Sequence, residues 1–129
     1  MSAFPVPITA VFAGLLALML VGLSIRVTVL RAKKKINLFD GSDPEMGRAI
    51  RVQGNFVEYV PMALALIGLV EWIGVKPWVV YLFGIALLIA RVSHAWGIYS
   101  SAFPARAIGT TINWIVLAAA GLLIIGLVV

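Results

Sequence analysis

The sequence predicts an all-α integral membrane protein that folds as a four-helix bundle. Of its 129 residues, 63% are hydrophobic and only 12% are charged, and the mean hydropathy is +1.11. A soluble domain of this length has too little interior to hide so much apolar surface. Four apolar runs joined by short polar connections supply the helices. We therefore expect residues 1–129 to form a single transmembrane domain.

The first two helices are expected over residues 6–31 and 44–73. The first run is long enough to cross a hydrocarbon core of about 30 Å. No basic residue precedes it, as one would in a cleavable signal peptide, so we expect the run to stay in the membrane. Asp43 has the position and chemistry of an N-cap for the second helix. Pro61 lies inside that helix and removes one backbone donor, which predicts a kink or loosening in the preceding turn.

The third and fourth helices are expected over residues 78–98 and 105–129. Orientation follows from the basic residues in the connections, which are concentrated in the first, reduced to Lys76 in the second and represented by Arg106 beside the third. Basic connections tend to stay in the cytoplasm. The first and third connections should therefore lie inside, and both termini outside.

Composition also excludes several kinds of function. There is no cysteine, which removes disulfides, thiolate nucleophiles and cysteine metal sites. A single histidine with few clustered carboxylates argues against a metal site built by the protein. The net charge of +5 does not indicate a nucleic-acid partner, because most of the excess sits beside an apolar run, where it sets topology and attracts anionic membrane lipids. That basic cluster consists of Arg31, Lys33, Lys34 and Lys35.

A polar stripe at the start of the second helix is the first candidate for a site. Its four members fall within roughly 80° of one another on a helix. A charged group inside a membrane costs about 2.5 to 3.5 kcal/mol even on the lenient insertion scale, so we expect the stripe to face inward. The stripe consists of Arg48, Arg51, Asn55 and Glu58.

Polar residues of two other helices are expected at the same leaflet. Arg91 and His94 end the third helix there, and Arg106 begins the fourth. This leaflet then contains four arginines and one histidine but a single glutamate, Glu58, because Glu71 lies at the far end of the second helix. An excess of buried donors favours an anion, and the natural candidate carries carboxylates.

Each of these residues also has a purely structural interpretation. Arg51 and Glu58 can form an internal ion pair that locks the bundle, and Asn55 can be a hydrogen-bonding residue between helices. Arg91 can extend toward lipid headgroups, and His94 alone can be a core histidine. Convergence on one leaflet weakens these interpretations.

The chain resembles the MAPEG family, the membrane-associated proteins in eicosanoid and glutathione metabolism, and within it the small bacterial members. The four-helix layout is similar across essentially the whole chain. The motifs that carry the resemblance are Arg48-x-x-Arg51-x-x-x-Asn55-x-x-Glu58-Tyr59-x-Pro61, Ala90-Arg91-x-x-His94-Ala-x-Gly97 and Arg106-x-x-Gly109.

The resemblance implies a homotrimer in a bacterial inner membrane, with glutathione as co-substrate between neighbouring subunits on the cytoplasmic side. It implies a transferase that conjugates glutathione to lipophilic electrophiles, or a peroxidase that reduces lipid hydroperoxides, with Arg106 stabilising the glutathione thiolate. No metal is implied. The residues expected to hold glutathione are Arg31 (from the adjacent subunit), Arg48, Arg51, Asn55, Glu58, Tyr59, Arg91 and His94.

Two departures from the family pattern leave the electrophile open. Ile98 stands where several eukaryotic enzymes have a tyrosine that touches glutathione, and Gly54 stands where one branch has another arginine. Two alternative classes also stay open. One is a small multidrug-type transporter, although Glu58 lies among arginines and toward one leaflet, which disfavours proton exchange. The other is a non-catalytic scaffold or lipid-binding protein that uses the same pocket.

Overall fold

The structure, a computed structural model, describes residues 4–129, so the first three residues of the expected domain lie outside it. Within that range the chain is all-helical and contains no strand, and each helix is long and apolar enough to cross a membrane. The predicted four-helix membrane fold is confirmed for this part of the chain. The helices are α1 (Pro7–Lys34), α2 (Pro44–Trp72), α3 (Pro77–Tyr99) and α4 (Phe103–Val128).

Helix α1 continues three residues past its expected end, residue 31. Lys33 and Lys34 lie in the last turn, and Lys35 ends the helix in the left-handed conformation with φ of 55°. Basic side chains in a last turn interact favourably with the free carbonyls there, so the basic cluster prolongs the helix instead of starting the connection.

Helix α2 begins at the predicted cap and continues past its internal proline. The Asp43 carboxylate accepts a hydrogen bond of 2.8 Å from the Met46 N–H. Lys34 Nζ donates to the same carboxylate at 2.8 Å, and these hydrogen bonds hold the pKa of Asp43 below its usual value. Beyond the cap the helix runs unbroken through Pro61 to Trp72. Any local loosening before Pro61 therefore does not end the helix.

Two glycines set the close contact between the antiparallel helices α3 and α4. A Cβ atom on Gly97 would overlap the backbone nitrogen of Arg106. A Cβ atom on Gly109 would lie 2.6 Å from both the Ala90 carbonyl oxygen and the His94 nitrogen. Small residues let membrane helices approach this closely. The contact places the start of α4, with Arg106, directly beside the end of α3.

The two ends of the bundle differ in charge and connection. At one end the Glu71 carboxylate accepts hydrogen bonds from the first free backbone donors of α1, Ile8 N–H at 2.8 Å and Thr9 N–H at 2.7 Å. The α1–α2 and α3–α4 connections lie at the opposite end, which we call the basic end. Because neighbouring helices are antiparallel, α2 starts, α3 ends and α4 starts at the basic end.

We expect replacement of Glu71 by alanine to destabilise the bundle by about 1 to 3 kcal/mol, because two helix-end donors lose a charged acceptor. Thermal unfolding in detergent measures the effect. Lys76→Ala is the matched control, since Lys76 is exposed at the same end. Equal midpoints for the two variants would show that the cap contributes nothing.

Candidate functional site

Two of the polar groups predicted at one leaflet, Asn55 and Arg91, lie about two to three helical turns from the helix ends at the basic end. At 1.5 Å per residue, Asn55 stands about 16 Å from the start of α2, and Arg91 stands about 12 Å from the end of α3. Both lengths are measured from the basic end, so the two residues sit at similar depth. The structure therefore brings these two side chains together at one end of the bundle, on facing helices.

Arg91 is a core residue and does not extend toward lipid headgroups. Only 1% of its surface is exposed. Its Nη2 donates to Asn55 Oδ1 at 2.8 Å, and its guanidinium lies 5.6 Å from the centre of the Phe56 ring. Within residues 4–129, its Nε and Nη1 have no hydrogen-bond partner. A buried cation with one neutral acceptor is an unusual and costly arrangement.

His94 is also buried, with 2% of its surface exposed, one turn after Arg91. Its Nδ1 lies 3.5 Å from Arg91 Nη2. The neighbouring Ser93 hydroxyl donates to the Ala105 carbonyl at 2.7 Å, which joins α3 to the first turn of α4. Through its contacts with both side chains, Arg91 connects Asn55 and His94. We call these three residues the Arg91 group.

Arg51 and Glu58 form an ion pair on the outer surface of the bundle. Arg51 Nη2 donates to Glu58 Oε2 at 2.9 Å, and the two side chains are 51% and 53% exposed. Both residues belong to α2, so the pair does not lock two helices together. The expectation that this part of the stripe faces the interior is wrong within one chain, because an apolar pattern does not distinguish a lipid-facing side from one that another chain covers.

Arg48 and Arg106 line the same open cleft of about 290 Å³ between α2, α3 and the start of α4. Ile98, which stands where several eukaryotic enzymes have a tyrosine, forms part of its apolar wall. Neither arginine forms a salt bridge within the described range, 4–129. Two cations without an acidic partner in one cleft make it strongly attractive to an anion.

The count of a single glutamate at this leaflet is wrong, because Glu45 also lies at the basic end. Its carboxylate accepts from Arg26 Nη2 at 2.9 Å and from Lys34 Nζ at 3.1 Å. Arg26 and Glu45 line a second cleft of about 680 Å³ together with Arg48 and Tyr99. Glu45 stands one turn before Arg48, a spacing visible in the sequence. Since it already has two basic partners, the excess of arginine remains.

Two predicted site residues lie apart from the Arg91 group. Arg31 Nη1 donates to the carbonyls of Ile36 and Phe39 at 3.3 and 3.0 Å. Within one chain Arg31 therefore stabilises the connection between α1 and α2. The Tyr59 hydroxyl accepts from Trp114 Nε1 at 3.4 Å, which joins α2 to α4. In the part of the chain that the structure describes, no His, Asp and Glu side chains gather as a metal site would require.

Comparison with known proteins decides the family. The MAPEG family model matches residues 9–126. The chain belongs to the MAPEG family. It is 36% identical over 107 residues to the inner membrane protein YecN of Escherichia coli K12, across 83% of this chain and 82% of that protein. The YecN protein of E. coli O6:H1 matches to the same extent.

Family membership confirms the resemblance seen in the motifs. MAPEG proteins include glutathione transferases and peroxidases. The name of YecN gives a location and no activity. The chain therefore belongs to a family of membrane proteins that includes glutathione-dependent enzymes. The roles of individual residues depend on the geometry of the site.

Proposed function

We propose that this protein is an inner-membrane enzyme that uses glutathione to conjugate lipophilic electrophiles or to reduce lipid hydroperoxides. The observation that carries the proposal is the excess of arginine at the basic end, where Arg48 and Arg106 share a cleft without an acidic partner. By the positive-inside rule we propose that this end faces the cytoplasm and that both termini lie outside. YecN is named as an inner membrane protein, which supports the choice of membrane.

Glutathione has the complementary chemistry, with two carboxylates, an ammonium group and a thiol. Guanidinium groups hold carboxylates through paired, charge-assisted hydrogen bonds. Arg51 and Glu58, which pair with each other across 2.9 Å, would exchange that partner for a carboxylate and the ammonium group of the ligand. Arg48 would add a second cation for the other carboxylate. Charge would then be balanced in the occupied site.

A second copy of the chain would cover the outer ion pair. Arg51 and Glu58 are half-exposed on the side of a helix apolar enough to cross a membrane, and charges facing lipid are costly. We propose a homotrimer in which neighbouring subunits enclose this side. Arg31 would then reach glutathione from the adjacent subunit, after leaving the carbonyls that it now contacts.

The lipophilic partner would arrive from the bilayer through a groove between α1 and α2. The groove holds about 240 Å³ and is lined almost entirely by apolar side chains, among them Leu16, Phe56 and Val60. Phe56 also lies under the Arg91 guanidinium, so the apolar groove begins where the polar group ends. This adjacency suits a reaction between a polar thiol and an apolar substrate.

Arg106 is the proposed stabiliser of the thiolate. A cation beside the sulfur favours the charged form and raises the thiolate fraction at neutral pH. In conjugation the sulfur forms a bond to an electrophilic carbon as the leaving group departs. In the peroxidase reaction two glutathione molecules become the disulfide, while the hydroperoxide becomes an alcohol and water. The protein contributes position and electrostatics.

The transporter alternative is weakened by the Arg51–Glu58 pair. A proton-coupling glutamate must exchange its proton inside the membrane, whereas Glu58 is held in an ion pair with Arg51 at 2.9 Å. A non-catalytic scaffold would use the same cleft to bind without turnover.

Purified protein should therefore be assayed for glutathione-dependent consumption of a panel of electrophiles and lipid hydroperoxides. Turnover supports the enzyme, and binding without turnover across the panel supports the scaffold.

Replacement of Arg51 or Glu58 by alanine is expected to raise the KM for glutathione by at least 10-fold, corresponding to the loss of about 1.4 kcal/mol or more of binding. Steady-state turnover at varied glutathione concentration measures it. Lys76→Ala, at the opposite end of the bundle, should leave the KM unchanged. An unaltered KM in both site variants would remove these two residues from the glutathione site.

A further inference from the structure

We propose that Arg91 is a positioning residue, which fixes the amide orientation of Asn55 and the tautomer of His94 so that both side chains offer N–H donors to the site. In this proposal Arg91 acts through its two neighbours, because its Nε and Nη1 are fully buried, whereas His94 Nε2 is not among the fully buried, unpartnered atoms of residues 4–129. The inference rests on the proposed function in one respect, since glutathione is the ligand that would accept these hydrogen bonds. The orientation of Asn55 and the tautomer of His94 are properties of the protein without glutathione and can be measured separately.

The orientation of Asn55 follows from the chemistry of the guanidinium group. An arginine side chain has only donors, so the Asn55 atom that lies 2.8 Å from Arg91 Nη2 must be the oxygen. The amide nitrogen, Nδ2, therefore points to the other side of the carboxamide group. Asn55 is partly exposed, and its Nδ2 has no hydrogen-bond partner among residues 4–129. It is free to donate to a carbonyl or carboxylate oxygen.

The tautomer of His94 follows from the same guanidinium. Nδ1 of the ring lies 3.5 Å from Arg91 Nη2. If Nδ1 carried a proton, two donors would face each other at that distance, so Nδ1 must present its lone pair. A neutral imidazole then carries its proton on Nε2, which becomes the second donor. One buried side chain thus sets the hydrogen-bond polarity of two others.

Packing fixes the position of the Arg91 guanidinium between α2 and α3. Its guanidinium extends from α3 to α2 and lies over the Phe56 ring at 5.6 Å. The backbone beside it is fixed by the close approach of Gly109, whose Cβ would lie 2.6 Å from both Ala90 O and His94 N. Arg91 Nε and Nη1 are unpartnered in the described chain, so only Nη2 contacts side-chain acceptors, namely Asn55 Oδ1 and His94 Nδ1. We infer that the site selects ligands rich in acceptors, such as carboxylates and amide carbonyls.

The only histidine of the chain makes the test specific. Full-length protein containing ¹⁵N-labelled histidine is purified in detergent without glutathione, and the two ring nitrogens are observed by NMR at neutral pH. The wild type is expected to show an unprotonated Nδ1 and a protonated Nε2. Arg91→Met removes the guanidinium while keeping an apolar stem, and should introduce a population protonated on Nδ1. Arg91→Lys retains a donor and should restore much of the original tautomer.

Arg26→Met is the control, because it removes a guanidinium from the basic end but leaves the Arg91 group intact. Its spectrum should equal that of the wild type. A wild-type ring protonated on Nδ1 would overturn the proposal even if no Arg91 variant folds, and so would an unchanged tautomer in folded Arg91→Met. Because glutathione is absent, failure here is distinguishable from failure to bind glutathione.

Discussion

Replacement of Gly97 or Gly109 by alanine is expected to destabilise the protein by about 3 kcal/mol or more. The new Cβ atom at either position would meet backbone atoms of the facing helix, at 2.6 Å in the case of Gly109, and backbone cannot rotate away as a side chain can. Overpacking a tight interface typically costs about 1 to 3 kcal/mol, and a backbone collision belongs at or above the upper limit. Such a loss is a fifth or more of a total stability of about 5 to 15 kcal/mol, so the thermal midpoint should fall clearly.

The measurement is the yield of monodisperse protein after detergent extraction, followed by its thermal midpoint. Gly121→Ala and Gly126→Ala are matched controls in α4, because a Cβ atom at either position has nothing within 4 Å in the described chain. Alanine favours a helix over glycine by about 1 kcal/mol, so these controls should fold at least as well as the wild type. If Gly97→Ala were equally tolerated, the close contact between α3 and α4 would be wrong.

Replacement of Arg106 by alanine is expected to lower kcat by about 10²- to 10³-fold, the usual effect of losing one electrostatic stabiliser of a reacting anion. Affinity for glutathione should change by only a few-fold, because the other arginines and Glu58 still hold the carboxylates and the ammonium group. The ultraviolet absorbance of the thiolate in the bound state should fall in parallel with kcat.

Arg26→Ala serves as the control for Arg106, since Arg26 is also an exposed arginine of the basic end but pairs with Glu45 at 2.9 Å. Its kcat should stay near that of the wild type. If Arg106→Ala turned over a model electrophile as fast as the wild type, the thiolate-stabilising role would belong to another residue.

The fold was predictable because each membrane helix corresponds to a long apolar run in the sequence. The cap at Asp43 followed from local chemistry, and the structure confirms it with a 2.8 Å bond to Met46 N–H. The end of α1 was not predictable in the same way. Its basic cluster looked like a connection, but lysine is a good helix former and suits a last turn.

The site was predictable in position and only partly in arrangement. The polar spacing placed Asn55 and Arg91 at one end, and their 2.8 Å hydrogen bond joins two helices there. Sequence periodicity could not show that Arg91 would be buried while Arg51 and Glu58 face outward, because both sides of a membrane helix meet apolar surroundings. The place of Glu45 could not be predicted from α2 alone, because its basic partners Arg26 and Lys34 belong to the preceding helix.

The most direct test of the central claim is a calorimetric titration of the detergent-purified wild type with glutathione. We expect saturable binding, which Arg51→Ala and Glu58→Ala each weaken by at least 10-fold while the thermal midpoint of the protein is retained. That result would establish a glutathione site at the basic end that includes Arg51 and Glu58. Absence of binding by well-folded wild-type protein would contradict the proposed function and leave the cleft to another thiol or another anion.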